Sequence, residues 1–268
     1  MKNKIAFVII TWNSERYIEK CLESINKFKK IEYEIFIVDN GSTDKTVSIL
    51  DKNKNEKTHI NIQKENLGTT KSRNIALRQI SNSFNYICVL DSDTIVNEET
   101  FEKLIEILEN DEQIGIIGPE LMDSKGKKQN SGRTIPTPKE KIYKVLPIKI
   151  LQDKGEKLEK IQSLKEVYEV GYLMSACWLL PFNVFEKVGM LDEKIFYAPE
   201  DAEYCLRVWL NNYKVVFTNK VSIIHEWQRI SRKKLISKIN YEHIKGLMYF
   251  WKKYKLEKIN KINERVCR

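Results

Sequence analysis

Residues 4–10 (KIAFVII) form an apolar, β-branched run that stops at Thr11-Trp12-Asn13-Ser14. A run this short, with no polar alternation, fits a strand buried on both faces. Asn13 or Ser14 then offers a side-chain oxygen to the free N–H groups of a helix continuing through about Ile25. The pattern repeats. Strand 34–38 (EIFIV) ends at Asp39, and the Asn40-Gly41 turn leads through Ser42, Thr43 and Asp44 into a second helix. A short strand near 58–62 precedes an Asn66-Leu67-Gly68 turn and a helix over 69–80. Strand 86–90 (YICVL) runs into Asp91-Ser92-Asp93, followed by a helix near 99–110 and a strand at 115–121. Strands separated by helices predict an α/β fold with a mostly parallel sheet covered on both faces, and ligands beyond the carboxyl ends of the strands. Thr11, Asp39 and Asp91 all fall at those ends.

Over 122–168 the periodicity fades and Gly, Pro and Lys become frequent, which predicts loops around a cleft. Order returns with an apolar strand at 172–180 (YLMSACWLL), a helix at 182–188 stopped by Gly189, and a helix from about Pro199 to Leu210. A closing strand, VVFTNKVSII, leads to His225. The chain thus divides into 1–121, 122–228 and a tail over 229–268. That tail holds thirteen Lys/Arg against Glu242, Glu257 and Glu264, so the net charge of +9 belongs to it. Its aromatics (Tyr241, Tyr249, Phe250, Trp251, Tyr254) fall with Leu235, Ile236, Ile239, Leu247 and Met248 near a helical stripe. Such a stripe packs on a body or lies on a membrane, with Lys233, Lys234, Lys238, Lys245, Lys252 and Lys253 free to face anionic lipid.

At 268 residues and 42% hydrophobic content, the chain can bury an enzyme-sized core. Its apolar runs fall short of a signal core or a membrane span, which predicts a cytoplasmic protein, peripheral at the inner face of the membrane if it touches one. The five cysteines are scattered without CxxC spacing, which argues against structural zinc and for buried thiols in a reducing compartment. His59 and His243 read as surface residues.

Candidate chemistry concentrates at strand and helix ends. Asp91 and Asp93, two carboxylates at i and i+2 on a segment leaving the sheet, suit a divalent cation shared with phosphates, Mg²⁺ or Mn²⁺. An isolated pair of this kind is more often a surface turn, and the end of a core strand raises the functional reading. Asp39 fits a ribose or base contact, or a cap on its own turn. Glu200 and Asp201 lie in a helix first turn, where the dipole favours ionised carboxylates; this suits a general base and ordinary charge capping alike. His225 is either a hydrogen-bonded structural residue or a metal ligand beside Asp93.

Five segments taken together, FVIITWNSERYIEKCLESI, EIFIVDNGSTDKTVSIL, NLGTTKSRNIAL, YICVLDSDTIV and VGMLDEKIFYAPEDAEYCLRVW, resemble glycosyltransferase family 2, particularly its rhamnosyltransferase-like members. The resemblance covers about residues 5–225 and implies the GT-A fold, with a nucleotide-sugar-binding half over 1–121 and an acceptor and base half over 122–228. It implies that Thr11, with Asn13 near it, and Asp39 hold the nucleoside, that Arg73 lies near the donor, and that Asp91 faces the ribose. It makes Asp93 the metal ligand with His225 joining it, and Asp201 of the Glu200-Asp201 pair the catalytic base of an inverting, metal-dependent transfer. The partners implied are a nucleotide diphosphate-sugar and a glycan or lipid-linked glycan, with no nucleic acid. Ser175-Ala176 and Asn212 depart from the pattern, where glycine is more usual. Two alternatives remain open at this level. One is a nucleotidyltransferase-like enzyme, disfavoured because no glycine follows the first strand; the other is a non-catalytic binding protein with a basic tail.

Overall fold

The computed structural model describes residues 3–226 and 238–267. The first half alternates as its hydrophobic pattern requires: β1 (Lys4–Thr11), α1 (Ile18–Asn26), β2 (Glu32–Asp39), α2 (Thr46–Lys52), β3 (Thr58–Ile62), α3 (Thr69–Leu77) and β4 (Tyr86–Asp91). A two-residue β5 (Thr94–Ile95), α4 (Glu98–Asn110) and β6 (Ile114–Met122) complete it. Along each central strand, alternate side chains feed two different cores. Ala6, Val8, Ile87 and Val89 pack on one face of the sheet, and Ile5, Phe7, Ile9, Cys88 and Leu90 on the other. This is why these strands carry no polar alternation.

Strands β1 to β4 pair in parallel in the spatial order β3-β2-β1-β4. Their register sets Thr11 opposite Asp39 and Ile10 opposite Asp91, so the polar residues at the strand ends form one edge.

The second half differs from its sequence expectation in two places. The expected loops of 122–168 contain β7 (Lys128–Gln129), β8 (Gly132–Arg133), an α5–α6 hairpin (Pro138–Val145 and Lys149–Glu159) and β9 (Val167–Glu169). The start of α5 was legible: Thr137 caps it by accepting from the Glu140 N–H, with Pro138 behind it, a capping pattern masked by the surrounding Lys and Gly. The apolar run at 172–180 is two strands rather than one. β10 (Tyr172–Leu173) pairs with β8 in a separate two-stranded sheet, and β11 (Cys177–Pro181) enters the main sheet antiparallel to both β4 and β6. The bend at Met174-Ser175-Ala176 between them brings the Ala176 carbonyl to the Asp91 N–H at 3.0 Å.

After β11 come α7 (Phe182–Val188), α8 (Glu200–Leu210) and β12 (Lys214–His225), which runs parallel to β6. Between α8 and β12, Asn212 has φ +64°, a left-handed conformation asparagine tolerates better than most side chains, so it performs the turn of the expected glycine. Cys21, Cys88, Cys177 and Cys205 are buried free thiols, and Cys267 is exposed.

The described part of the tail is two helices, α9 (Lys238–Lys253) and α10 (Leu256–Val266), packed on the body. Leu235, Ile236, Lys233 and Lys234 lie outside the described residues. Phe250, Leu247, Tyr254, Ile259 and Val266 are buried, each aliphatic or aromatic side chain contributing about 1.5–3 kcal/mol, against about 0–1 kcal/mol for an exposed ion pair. Apolar burial therefore dominates this docking. Trp251 donates to the Pro136 carbonyl, Tyr249 to Asp192 and Tyr254 to Glu203, so most of these aromatics serve the fold rather than an open stacking surface. The contact is close enough to require glycine: a Cβ on residue 246 would stand 2.1 Å from the Ala198 carbonyl oxygen. Helix α9 thereby rests on the segment that enters α8. Among the described residues, no helix is long and apolar enough to cross a membrane.

Candidate active site

Four elements converge where the parallel strands end. Asp39, at the end of β2, is fully buried, and its own loop occupies both carboxylate oxygens. Oδ1 accepts from Thr11 Oγ1 at 2.8 Å and from Ser42 Oγ, and Oδ2 accepts from the Ser42 N–H at 2.9 Å. Asp39 thus holds the loop beside β1 together, whatever else it binds. Asn13, exposed and with φ +52°, accepts from the Thr43 N–H through Oδ1 while its own N–H donates to Ser42 Oγ. It does not cap α1, which begins at Ile18 after a turn closed on the Ser14 carbonyl. Ser14 instead meets Ser92 at 2.9 Å and links the first loop to the acidic segment.

Arg73 on α3 sits at the centre, 1% exposed. Its Nη2 donates to Asp91 Oδ1 at 2.9 Å and its Nη1 to Glu200 Oε1 at 3.3 Å. One buried guanidinium therefore ties the acidic strand end to the start of α8. Burial raises the Asp91 carboxyl above its usual value, and Arg73 opposes that rise.

Asp91, Asp93 and His225 place their ligand atoms within 4.8 Å of one another. His225, at the end of β12, is 3% exposed and turns Nε2 toward Asp93 Oδ1 at 3.4 Å. Burial pushes its imidazole value down, but Asp93 and then Asp91 outweigh this and the net shift is upward. Two carboxylates and an imidazole suit a divalent ion such as Mn²⁺.

Across Arg73, Glu200 and Asp201 occupy the first turn of α8. Burial, and then the Asp201 charge, push Glu200 up to about 8 against the opposing pull of Arg73. Arg73 and Ser175 both donate to its Oε1. Asp201 is partly exposed and also raised by burial, while the Ala202 N–H at 2.8 Å and the cations of Arg133, Lys141 and Arg73 hold it down.

A stability test follows from Glu200. Between its ordinary value of 4.5 and the folded value of about 8, the folded state binds more protons than the unfolded one, so stability falls as pH rises through that window. The thermal midpoint should drop between about pH 5 and about pH 9, and Glu200→Gln should flatten that drop; parallel curves would show that Glu200 is not raised.

The profile of the family described as "Glycosyl transferase family 2" matches residues 6–189. The chain belongs to this family. The family 2 chain is 37% identical over 106 residues to the Staphylococcus aureus poly(ribitol-phosphate) beta-N-acetylglucosaminyltransferase TarS, covering 37% of this chain and 18% of that one. Against the poly-beta-1,6-N-acetyl-D-glucosamine synthase of the same organism it is 30% identical over 114 residues, covering 42% of this chain and 27% of that one. The matches thus span under a third of those relatives' own lengths. The structure of TarS 1–349 in complex with UDP-GlcNAc superposes with TM-score 0.59 at 19% identity, covering 100% of this chain and 70% of that one. GalNAc-T7 with UDP, GalNAc and Mn²⁺ superposes with TM-score 0.67 at 15% identity, covering 96% of this chain and 49% of that one. These likenesses establish the GT-A fold.

The structure brings together Asp91, Asp93, His225, Arg73, Glu200 and Asp201, with the Thr11–Asp39 pair on the neighbouring strand ends. Sequence reasoning noted Ser175 only as part of a pair departing from the family pattern and missed Gln129; they contact Glu200 and His225. A serine in a bend and a glutamine in a polar stretch carry no periodic signal. It also placed both other histidines at the surface. His59 does lie at the surface, its side chain 41% exposed, where it stacks on Phe36 at 4.6 Å and meets Glu34 at 2.7 Å. His243 on α9 is partly buried, and burial beside the Lys141 cation pulls it down to about 4.

Proposed function

We propose that the chain is an inverting glycosyltransferase that moves a sugar from a nucleotide diphosphate-sugar to a hydroxyl of a glycan or lipid-linked glycan. One observation carries this reading: buried Arg73 bridges Asp91, at the donor-side strand end, to Glu200 in the base-side helix turn, at 2.9 and 3.3 Å. The two functional groups expected of a transferase are thus locked into one constellation. Family membership and the donors named in related structures support it, among them UDP-GlcNAc with TarS.

In this reading the Thr11–Asp39 end receives the nucleoside, with Asn13 and its partner Thr43 at the loop rim. Asp91 faces the ribose, and Asp93, Asp91 and His225 hold a divalent ion. When bound, that ion offsets charge developing on the departing diphosphate. Asp201 accepts the proton of the acceptor hydroxyl as its oxygen bonds to the anomeric carbon from the face opposite the leaving group, which inverts configuration. Glu200, held by Arg73 and Ser175, anchors the base turn, and Arg73 keeps that turn in register with the donor side.

A nucleotidyltransferase has no support from the family assignment, and the docking of the tail aromatics disfavours a nucleic-acid platform. The decisive experiment is thermal stabilisation by a panel of nucleotide diphosphate-sugars with Mn²⁺, since only ligands of the folded state raise the midpoint. A UDP-sugar should raise it more than the sugar-free or metal-free controls; no response to any member of the panel would sink the reading.

The same proposal places the chain at the inner face of a membrane, reached through the basic residues of the tail, each contributing about 1 kcal/mol near anionic lipid. Lys245 and Lys252 on α9 and Lys258 and Lys261 on α10 are exposed, so the docked stripe leaves charges available. Sedimentation should require anionic vesicles and weaken with salt, and equal binding to neutral vesicles, or none to either, would exclude the electrostatic anchor.

A further inference from the structure

His225 has two ring nitrogens, and each faces a different partner. Nε2 points toward Asp93, and Nδ1 stands 2.7 Å from Gln129 Oε1. Gln129 reaches His225 a second time, because its Nε2 donates to the His225 backbone carbonyl at 2.6 Å. That second bond settles the orientation of the amide. A carbonyl oxygen only accepts, so the NH₂ end must face it, which leaves Oε1 for the ring. Oε1 also only accepts, so the hydrogen in the ring contact belongs to Nδ1. A neutral imidazole carrying its hydrogen on Nδ1 has its lone pair on Nε2, the nitrogen turned toward the acidic pair.

The backbone holds this grip in place. Gln129 lies in β7, opposite Leu121 of β6, and β6 in turn pairs with the end of β12, Met122 opposite Ile224. Gln129 therefore approaches His225 from a hydrogen-bonded ladder, an arrangement suited to fixing a ring angle. A role confined to fastening β7 onto β12 needs only the bond to the carbonyl; the bond to the ring is additional.

We propose that Gln129 is a positioning residue that sets the Nδ1–H tautomer and the ring angle of His225, so that Nε2 is presented as a ligand to a divalent cation. The proposal rests on reading Asp91, Asp93 and His225 as a cation site. Partners of this kind behind a histidine ligand typically carry about 10–100-fold in metal affinity.

Two measurements test it without an activity assay. The chain has three histidines, so ¹⁵N–¹H spectra of the imidazoles resolve each of them. Recorded at alkaline pH, His225 should be the Nδ1–H tautomer in the wild type and shift toward Nε2–H in Gln129→Leu, where Asp93 becomes its only strong partner. An unchanged tautomer overturns the proposal. Binding of Mn²⁺ alone, followed by the EPR signal of the free ion, should weaken about 10–100-fold in Gln129→Leu. In a His225→Ala background, Gln129→Leu should cost nothing further, whereas an equal cost there would show that Gln129 does not act through the ring. If the wild type binds Mn²⁺ and Gln129→Leu binds it equally well, the proposal fails and the cation site stands. If the wild type binds none, the cation reading and the proposal fall together.

Discussion

Asp201→Asn should lower turnover by about 10²–10⁴-fold, the usual range for a general base, while leaving the donor dissociation constant and the thermal midpoint close to wild type. The replacement keeps the side-chain shape, and its Oδ1 can still accept from the Ala202 N–H that now bonds Asp201 at 2.8 Å. Removing the charge also relieves the neighbour that helps push Glu200 up, so the folded state should not suffer. The prediction separates the two carboxylates of the turn. Glu200, bonded by Arg73 and Ser175, is built to hold α8 against the donor side, and its loss should cost stability and geometry together. Steady-state kinetics with donor binding by calorimetry decides the matter: near-native turnover of Asp201→Asn on the true acceptor would remove Asp201 from the role of base.

Asp93→Ala should fail at an earlier step. Its carboxylate faces His225 Nε2 and belongs to the group whose ligand atoms lie within 4.8 Å of one another. Losing it removes a charged oxygen ligand, and a bound ion supplies several kcal/mol of charge stabilisation, so metal-dependent donor affinity should fall by about 100-fold or more. The weak binding that remains without metal should be unchanged, because the Thr11–Asp39 end of the cleft is untouched. Calorimetry with a UDP-sugar, with and without Mn²⁺, reads both quantities. An Asp93→Ala protein that keeps a full Mn²⁺ increment in donor binding would show that the ion is held elsewhere. Asp201→Asn should keep that increment intact, so the two variants fail differently under the same assay.

The α/β alternation and the line of Thr11, Asp39 and Asp91 at the strand ends were determined by sequence alone. Strands buried on both faces must be continuously apolar, the connecting helices force parallel pairing, and parallel pairing puts the polar ends on one edge. The first turn of α8 was equally legible, since Pro199 and the acidic residues after it are local signals. Tertiary structure decided what these residues touch. The resemblance set Arg73 near the donor, but only folding buries it between Asp91 and Glu200, which are 18 and 127 positions away in the chain. The run at 172–180 became two strands because the bend at Ser175 delivers a side chain to Glu200 and a carbonyl to Asp91, contacts no local propensity encodes. The tail shows the same division. Its charge and apolar stripe were visible in the sequence, but that Gly246 lets α9 lie against Ala198 at the entrance to α8 depends on two surfaces meeting at backbone distance. Periodicity records which face of an element is apolar; it does not record which partner buries that face.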